Sequence, residues 1–147
     1  MIAEISRLTG VSEEYLAQEE PLSCIESGRI YLGGQLSAAD WGTLQSKHIT
    51  HILNCARECE NYFPDKIKYH KLAMIDTERQ AIDFDSGVDW VHNALASDEK
   101  AVVMIHCLQG ISRSAIMTAG FLVKYRELAP QEAIQYVREK RSCAKPL

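Results

Sequence analysis

The stretch Ala101-Val102-Val103-Met104-Ile105-His106-Cys107-Leu108-Gln109-Gly110-Ile111-Ser112-Arg113-Ser114 decides the fold. Its first five residues are apolar and rich in β-branched side chains, the pattern of a buried strand. The run that follows, Ala115 to Leu128, is long and made of good helix formers, so it predicts a helix. The residues from His106 to Ser114 then form a strand-to-helix loop that opens onto a helix N-terminus. Such a place attracts anions, because unpaired backbone N–H groups point outward and the helix dipole favours negative charge. Gly110 lets the backbone turn so that successive N–H groups converge. Arg113 supplies a planar fork suited to two phosphoryl oxygens. Cys107 stands at the mouth of the same loop, where N–H groups, the helix end and an arginine favour its thiolate. A thiolate inside a phosphate cradle implies phosphoryl transfer through a cysteinyl-phosphate.

Outward from this loop the chain alternates strands and helices. Ile30-Tyr31-Leu32 predicts a short strand that leaves through Gly33-Gly34. Ser37 reads as the N-cap of a helix reaching about Lys47. Ile49 to Asn54 and Ile67 to Ile75 predict two further strands. The polar stretch Arg57 to Pro64 and the stretch Asp76 to Asp83 predict loops. Phe84 to Ala96 predicts a helix with Phe84, Val88, Val91 and Leu95 on one face. Pro130 suits a first helical position, and Gln131 to Arg141 predicts the last helix. The expected fold is α/β: a central, mostly parallel sheet flanked by helices in a three-layer domain. Ahead of it, residues 1–24 form a helical extension. Ser12 followed by Glu14 and Tyr15 resembles a helix start there, and the apolar stripe of Leu8, Val11, Tyr15 and Leu16 favours a helix packed on the back of the domain over a docking arm. The domain proper takes residues 25–147.

Composition bounds the partners. The chain of 147 residues carries a formal net charge of −4, which argues against general binding to nucleic acid or to anionic membranes. No stretch is apolar and long enough to span a bilayer, and no secretory leader is visible. The five cysteines, Cys24, Cys55, Cys59, Cys107 and Cys143, are scattered and odd in number. That argues against a secreted disulfide framework and for a reducing compartment, the cytoplasm and also the nucleus. Cys55-x-x-x-Cys59 has no second ligand pair at zinc spacing, so neither a metal nor another cofactor is expected.

His-Cys-x-x-Gly-x-x-Arg-Ser resembles the signature loop of the cysteine-dependent protein tyrosine phosphatases. Gly110-Ile111-Ser112-Arg113-Ser114 is similar to their dual-specificity branch. The resemblance runs from about Ile25 to Arg141 and includes Ile30-Tyr31-Leu32-Gly33, Ile49-Thr50-His51-Ile52-Leu53-Asn54 and Asp76-Thr77. It implies a phosphatase-like domain in which Cys107 is the nucleophile. Arg113 and the N–H groups of Leu108, Gln109, Gly110, Ile111 and Ser112 hold the phosphate. Ser114 stabilises the departing thiolate, and His106 orders the loop. The departing oxygen needs a proton, and Asp76, Asp83 and Asp85 are the acids available; family position selects Asp76. The resemblance also implies a further helix beyond the residue that Arg141 matches.

Substrate class follows from the same loop. Relatives that act on polyphosphorylated inositol lipids carry lysines where this chain has uncharged Leu108, Gln109 and Ile111. Phosphoproteins are therefore the expected substrates, at tyrosine and at serine or threonine, with MAP kinases as a family-level candidate. The alternative is a phosphoprotein-binding module that keeps the cradle and turns over poorly. Asn54-Cys55-Ala56 resembles the setting of a resolving cysteine in some lipid-directed relatives, which makes Cys55 a redox partner for Cys107, with Cys59 in competition.

Overall fold

A computed structural model describes residues 1–72, 74 and 84–146. The chain opens with helices α1 (Ile2–Thr9) and α2 (Glu13–Leu16), followed by strands β1 (Ser23–Glu26) and β2 (Ile30–Gly33). Short helices α3 (Gln35–Ala38) and α4 (Trp41–Ser46) lead to β3 (His51–Asn54) and β4 (Lys68–Lys71). Helix α5 (Phe84–Ser97), strand β5 (Val103–His106) and helices α6 (Arg113–Arg126) and α7 (Pro130–Lys140) complete it. The five strands lie in the order β1-β2-β5-β3-β4, with β1 antiparallel to β2 and the remaining pairs parallel. This is the expected mostly parallel α/β sheet.

Strand alternation divides the core in two. Ile30, Leu32, Leu53, Val103 and Ile105 face the layer of α5, α6 and α7, where they meet Val91, Met117, Phe121 and Val137. Their neighbours Tyr31, Ile52 and Met104 face the other way, toward Leu44, Ile49 and Ile67. Successive strand side chains point to opposite faces, so a strand covered on both sides reads as a continuous apolar run. All four residues of β5 are buried, as its sequence requires.

The register sets the level of the sheet's carboxyl edge. Gly33 and Asn54 both stand opposite His106, so β2, β5 and β3 end together. The loop after β5 emerges between its two parallel neighbours. In open parallel sheets that edge is where ligands bind.

Four readings are corrected. The helix expected from Ser37 to Lys47 is two helices broken at Asp40, and Ser37 lies inside the first of them. Gly34 is the N-cap, and the carboxylate of Glu19 takes its place by accepting from the N–H groups of Leu36 (2.8 Å) and Ser37 (3.0 Å). A side chain on Gly34 would stand 2.3 Å from that carboxylate, which excludes a capping residue there. Strand β1 went unread; it is a short edge with a bulge, too brief for a period to emerge. The strand expected from Ile67 narrows to Lys68–Lys71. The helical extension packs beside the loop after β5 and not on the back of the domain: buried Ile5, Leu16 and Ala39 cluster with Leu36, Tyr62 and Leu108. Tyr15 and Leu8, expected in the packed stripe, are 46% and 47% exposed. Ser12 does cap α2, its Oγ accepting from the Tyr15 N–H at 3.2 Å.

Among the described residues no helix is long and apolar enough to cross a membrane.

Candidate active site

The loop from Cys107 to Ser112 is shaped from behind. Its carbonyls are each held by a donor: Leu108 O by the Gln35 N–H (2.8 Å), and Ile111 O by the Lys145 N–H (2.6 Å). Arg141 Nη2 donates to Gln109 O (3.0 Å) and its Nε to Gly110 O (2.9 Å). In a trans peptide the N–H points opposite to the carbonyl. Turning four carbonyls to the back therefore turns the N–H groups of Gln109, Gly110, Ile111 and Ser112 to the front. None of the N–H groups of residues 108–112 donates to a protein acceptor among the described residues. Gly110 is required twice over. It sits at φ 71°, and a side chain there would meet the Gly33 carbonyl carbon and oxygen at 2.6 Å.

In front of those N–H groups lies a cleft of about 90 Å³, lined by Tyr15, Cys107, Leu108, Gln109, Ile111, Ser112 and Arg113. Cys107 Sγ, in the loop, and Ser114 Oγ, in the first turn of α6, lie 3.1 Å apart, both buried. The fourteen-residue helix α6 aims its N-terminus at this point, so its dipole favours an anion there.

Arg113 is buried, and its fork is set by a residue the sequence did not single out. Nη1 and Nη2 donate to Glu58 Oε1 and Oε2, each at 2.6 Å, and Nη1 also donates to Met74 O at 2.9 Å. Burial raises the Glu58 carboxyl, but the Arg113 hydrogen bonds and charge outweigh it and hold the group below the usual carboxylate range. Glu58 lies in the loop read only as polar and broken. Glu60 and Asp65 have the same local sequence character, so nothing distinguished it there. Arg141 was likewise read only as a helix end. It is 2% exposed, and its guanidinium also donates to Pro21 O, Glu20 O and Ser23 Oγ.

His106 is fully buried, and burial lowers it to about 4, so the ring is neutral at physiological pH. Its Nδ1 faces the Cys107 carbonyl at 3.2 Å. Donation from Nδ1 satisfies that contact and leaves Nε2 as a bare acceptor. Ring and loop are thus joined directly.

Three thiols gather here. The Cys55 N–H donates to His106 O at 2.8 Å, which fixes Cys55 beside the start of the loop. Cys55, Cys59 and Cys107 are all buried and all free. Burial and the neighbouring Cys107 raise the Cys55 thiol.

Asp76 and Asp83 lie outside the described residues. Asp85 stands at the start of α5 with its side chain 82% exposed and paired to Lys124 Nζ at 3.0 Å, on the surface. No group of three or more His, Cys, Asp or Glu suited to a metal occurs among the described residues.

A cysteine-bearing loop of this shape, at the carboxyl edge of this sheet, is matched in known proteins. The model of the dual specificity phosphatase catalytic domain matches residues 30–147, and the chain belongs to that family. It is 31% identical to dual specificity protein phosphatase 1 of Arabidopsis thaliana over 147 residues, 99% of this chain and 72% of that protein. It is 33% identical to protein phosphatase Slingshot of Drosophila melanogaster over 119 residues, 80% of this chain. The chain spans only 11% of the length of that Slingshot protein. The crystal structure of human DUSP28 superposes with a TM-score of 0.79 at 19% identity, covering 86% of this chain and 85% of that one. That likeness carries the fold, including the mostly parallel sheet with helices on both faces.

Proposed function

We propose that this chain is a protein phosphatase, a hydrolase of phosphotyrosine and of phosphoserine or phosphothreonine in phosphoproteins. The observation that carries the reading is the front of the loop: Cys107 Sγ, 3.1 Å from Ser114 Oγ, lies beneath outward-facing N–H groups and beside the Arg113 fork. The Cys107 thiolate attacks phosphorus in line with the departing oxygen. The S–P bond forms, the P–O bond breaks, and Asp76 protonates the leaving oxygen. Charge on the equatorial oxygens falls on the loop N–H groups and Arg113. Water then attacks phosphorus and gives its proton back to Asp76. The S–P bond breaks, and Ser114 donates to the leaving thiolate. Phosphate departs and the enzyme is restored. A thiol nucleophile suits a reducing compartment, cytoplasm or nucleus. Among phosphoproteins, MAP kinases are the family-level candidate.

The test is hydrolysis of para-nitrophenyl phosphate and of phosphotyrosine and phosphothreonine peptides. Cys107→Ser should abolish turnover while still binding phosphopeptide. Asp76→Asn should slow peptide hydrolysis by about 10²–10⁴-fold, and the activated aryl phosphate much less. Phosphopeptide binding by the native chain without turnover would replace the enzyme with the binding module. Equal losses on both substrates would remove Asp76 from the acid role.

A further inference from the structure

Beyond Tyr15 the catalytic cleft has a neighbour. A second cleft of about 210 Å³ is lined by Tyr15, Gln18, Glu20, Gln109, Ile111 and Cys143. Tyr15, Gln109 and Ile111 line both clefts, so these three residues form the partition between them. One side of the partition belongs to the phosphate loop. The other belongs to the helical extension, which lies ahead of the residues matched by the family.

The extension is tied to the loop and does not lie loosely against it. Gln109 Nε2 donates to Tyr15 O at 2.9 Å. Leu16 is fully buried in the cluster that includes Leu108. Arg141 binds both sides at once: it donates to Glu20 O (3.2 Å) and Pro21 O (2.6 Å) as well as to Gln109 O and Gly110 O. The second cleft therefore keeps a fixed position relative to the phosphate.

Glu20 is the one charged residue lining this cleft. Its carboxylate makes no hydrogen bond or ion pair among the described residues, unlike Glu19 next to it, which is spent on the N-terminus of α3. Arg141 lies close by but does not neutralise Glu20 as a pair, since its guanidinium donates to carbonyls and to the Ser23 hydroxyl. Residues 13–20 contain four glutamates and no lysine or arginine. The cleft is thus polar at its charged end and has the ring of Tyr15 and the side chain of Ile111 along its wall.

Resting on the phosphatase reading, we propose that this cleft is a subsite for a lysine or arginine side chain next to the phosphoresidue of a peptide substrate. An extended peptide advances about 3.3–3.6 Å per residue, so a phosphoresidue in the first cleft brings its neighbour to the partition. The aliphatic stem of a basic side chain lies along Tyr15 and Ile111 while its head reaches Glu20. A guanidinium additionally gains the face of the Tyr15 ring. The substrate is then a phosphopeptide whose dianion is followed or preceded by a cation, matched by a cationic cleft beside an anionic one.

The experiment measures kcat/KM for phosphotyrosine peptides that differ only in carrying Lys, Ala or Glu directly before or directly after the phosphoresidue. The native chain should prefer Lys over Glu at one of the two positions by about 3–10-fold at low salt, the scale of a partly exposed ion pair. The preference should shrink as ionic strength rises. Glu20→Gln should flatten it and Glu20→Lys should invert it. Glu20 is exposed, and its backbone carbonyl, the part that Arg141 holds, is unchanged in both variants. An unchanged order in Glu20→Lys, or no order in the native chain, overturns the subsite. If no peptide is turned over, the phosphatase reading fails, and the same series read as Kd on the native chain still decides whether the cleft selects a cation.

Discussion

At the residue scale, Arg113 is a buried cation whose fork is held by its neighbours: both terminal nitrogens donate to Glu58, and Nη1 also donates to Met74 O. A buried cation is stabilised only with a partner that satisfies its donors, and Glu58, from the loop after β3, supplies that with two bonds of 2.6 Å. The pair fixes the plane of the guanidinium before substrate arrives. Glu58→Gln keeps one acceptor oxygen and loses the charge. It should lower kcat/KM about tenfold on all phosphoester substrates alike, the scale of one charge-assisted hydrogen bond. Arg113→Lys should cost much more, because a point charge cannot hold two oxygens in one plane. Steady-state kinetics on para-nitrophenyl phosphate separates the two. A Glu58→Gln variant as fast as the native chain would remove Glu58 from positioning.

At the scale of elements, the joint ending of β5 and β3 brings Cys55 to the start of the phosphate loop, its N–H on the His106 carbonyl. We propose that this placement serves a protective disulfide between Cys55 and Cys107. Peroxide oxidises the Cys107 thiolate to a sulfenic acid and is itself reduced to water. The Cys55 thiol then displaces water from that sulfur and closes the S–S bond. Burial raises the Cys55 thiol, so its thiolate is scarce and closure should be slow relative to the first oxidation. After mild peroxide and then a thiol reductant, the native chain should recover activity, and peptide mapping should find a Cys55–Cys107 link. Cys55→Ser should recover less. Full recovery in that variant would leave Cys55 as a core residue, and a mapped Cys59–Cys107 link would transfer the role to Cys59.

At the scale of the whole molecule, the buried neutral His106 makes stability depend on pH. Its folded value of about 4 lies below the ordinary 6.5. Between these values the unfolded chain binds a proton that the folded chain refuses, so stability rises with pH through this window and falls as pH drops from 6.5 toward 4. The group accounts for about 3 kcal/mol of that fall, from its displacement and ~1.4 kcal/mol per pH unit. Denaturant melts of the native chain and of His106→Gln, taken from pH 7 to pH 4, should converge as pH falls. Parallel curves would show that His106 does not titrate on unfolding in that range.

The sequence by itself determined the centre of this protein. The apolar run of β5, the loop with Gly110 and Arg113, and the helix after it are encoded by neighbouring residues, and their local chemistry needs no distant partner to be read. Strands β2 and β3 were legible for the same reason, as was Ser12 at the start of α2. What only the tertiary structure decided are the groups that come from far along the chain. Glu58 stands 55 residues from the arginine it orients, Arg141 stands 31 from the carbonyl of Gly110, and Tyr15 stands 94 from the glutamine that holds it. Such pairings leave no local period or spacing, because they are set by where strand ends meet and by which carbonyls must be turned away from the cleft. The extension illustrates the limit: its apolar residues announced that it packs, and burial of Leu16 beside Leu108 decided that it packs on the phosphate loop.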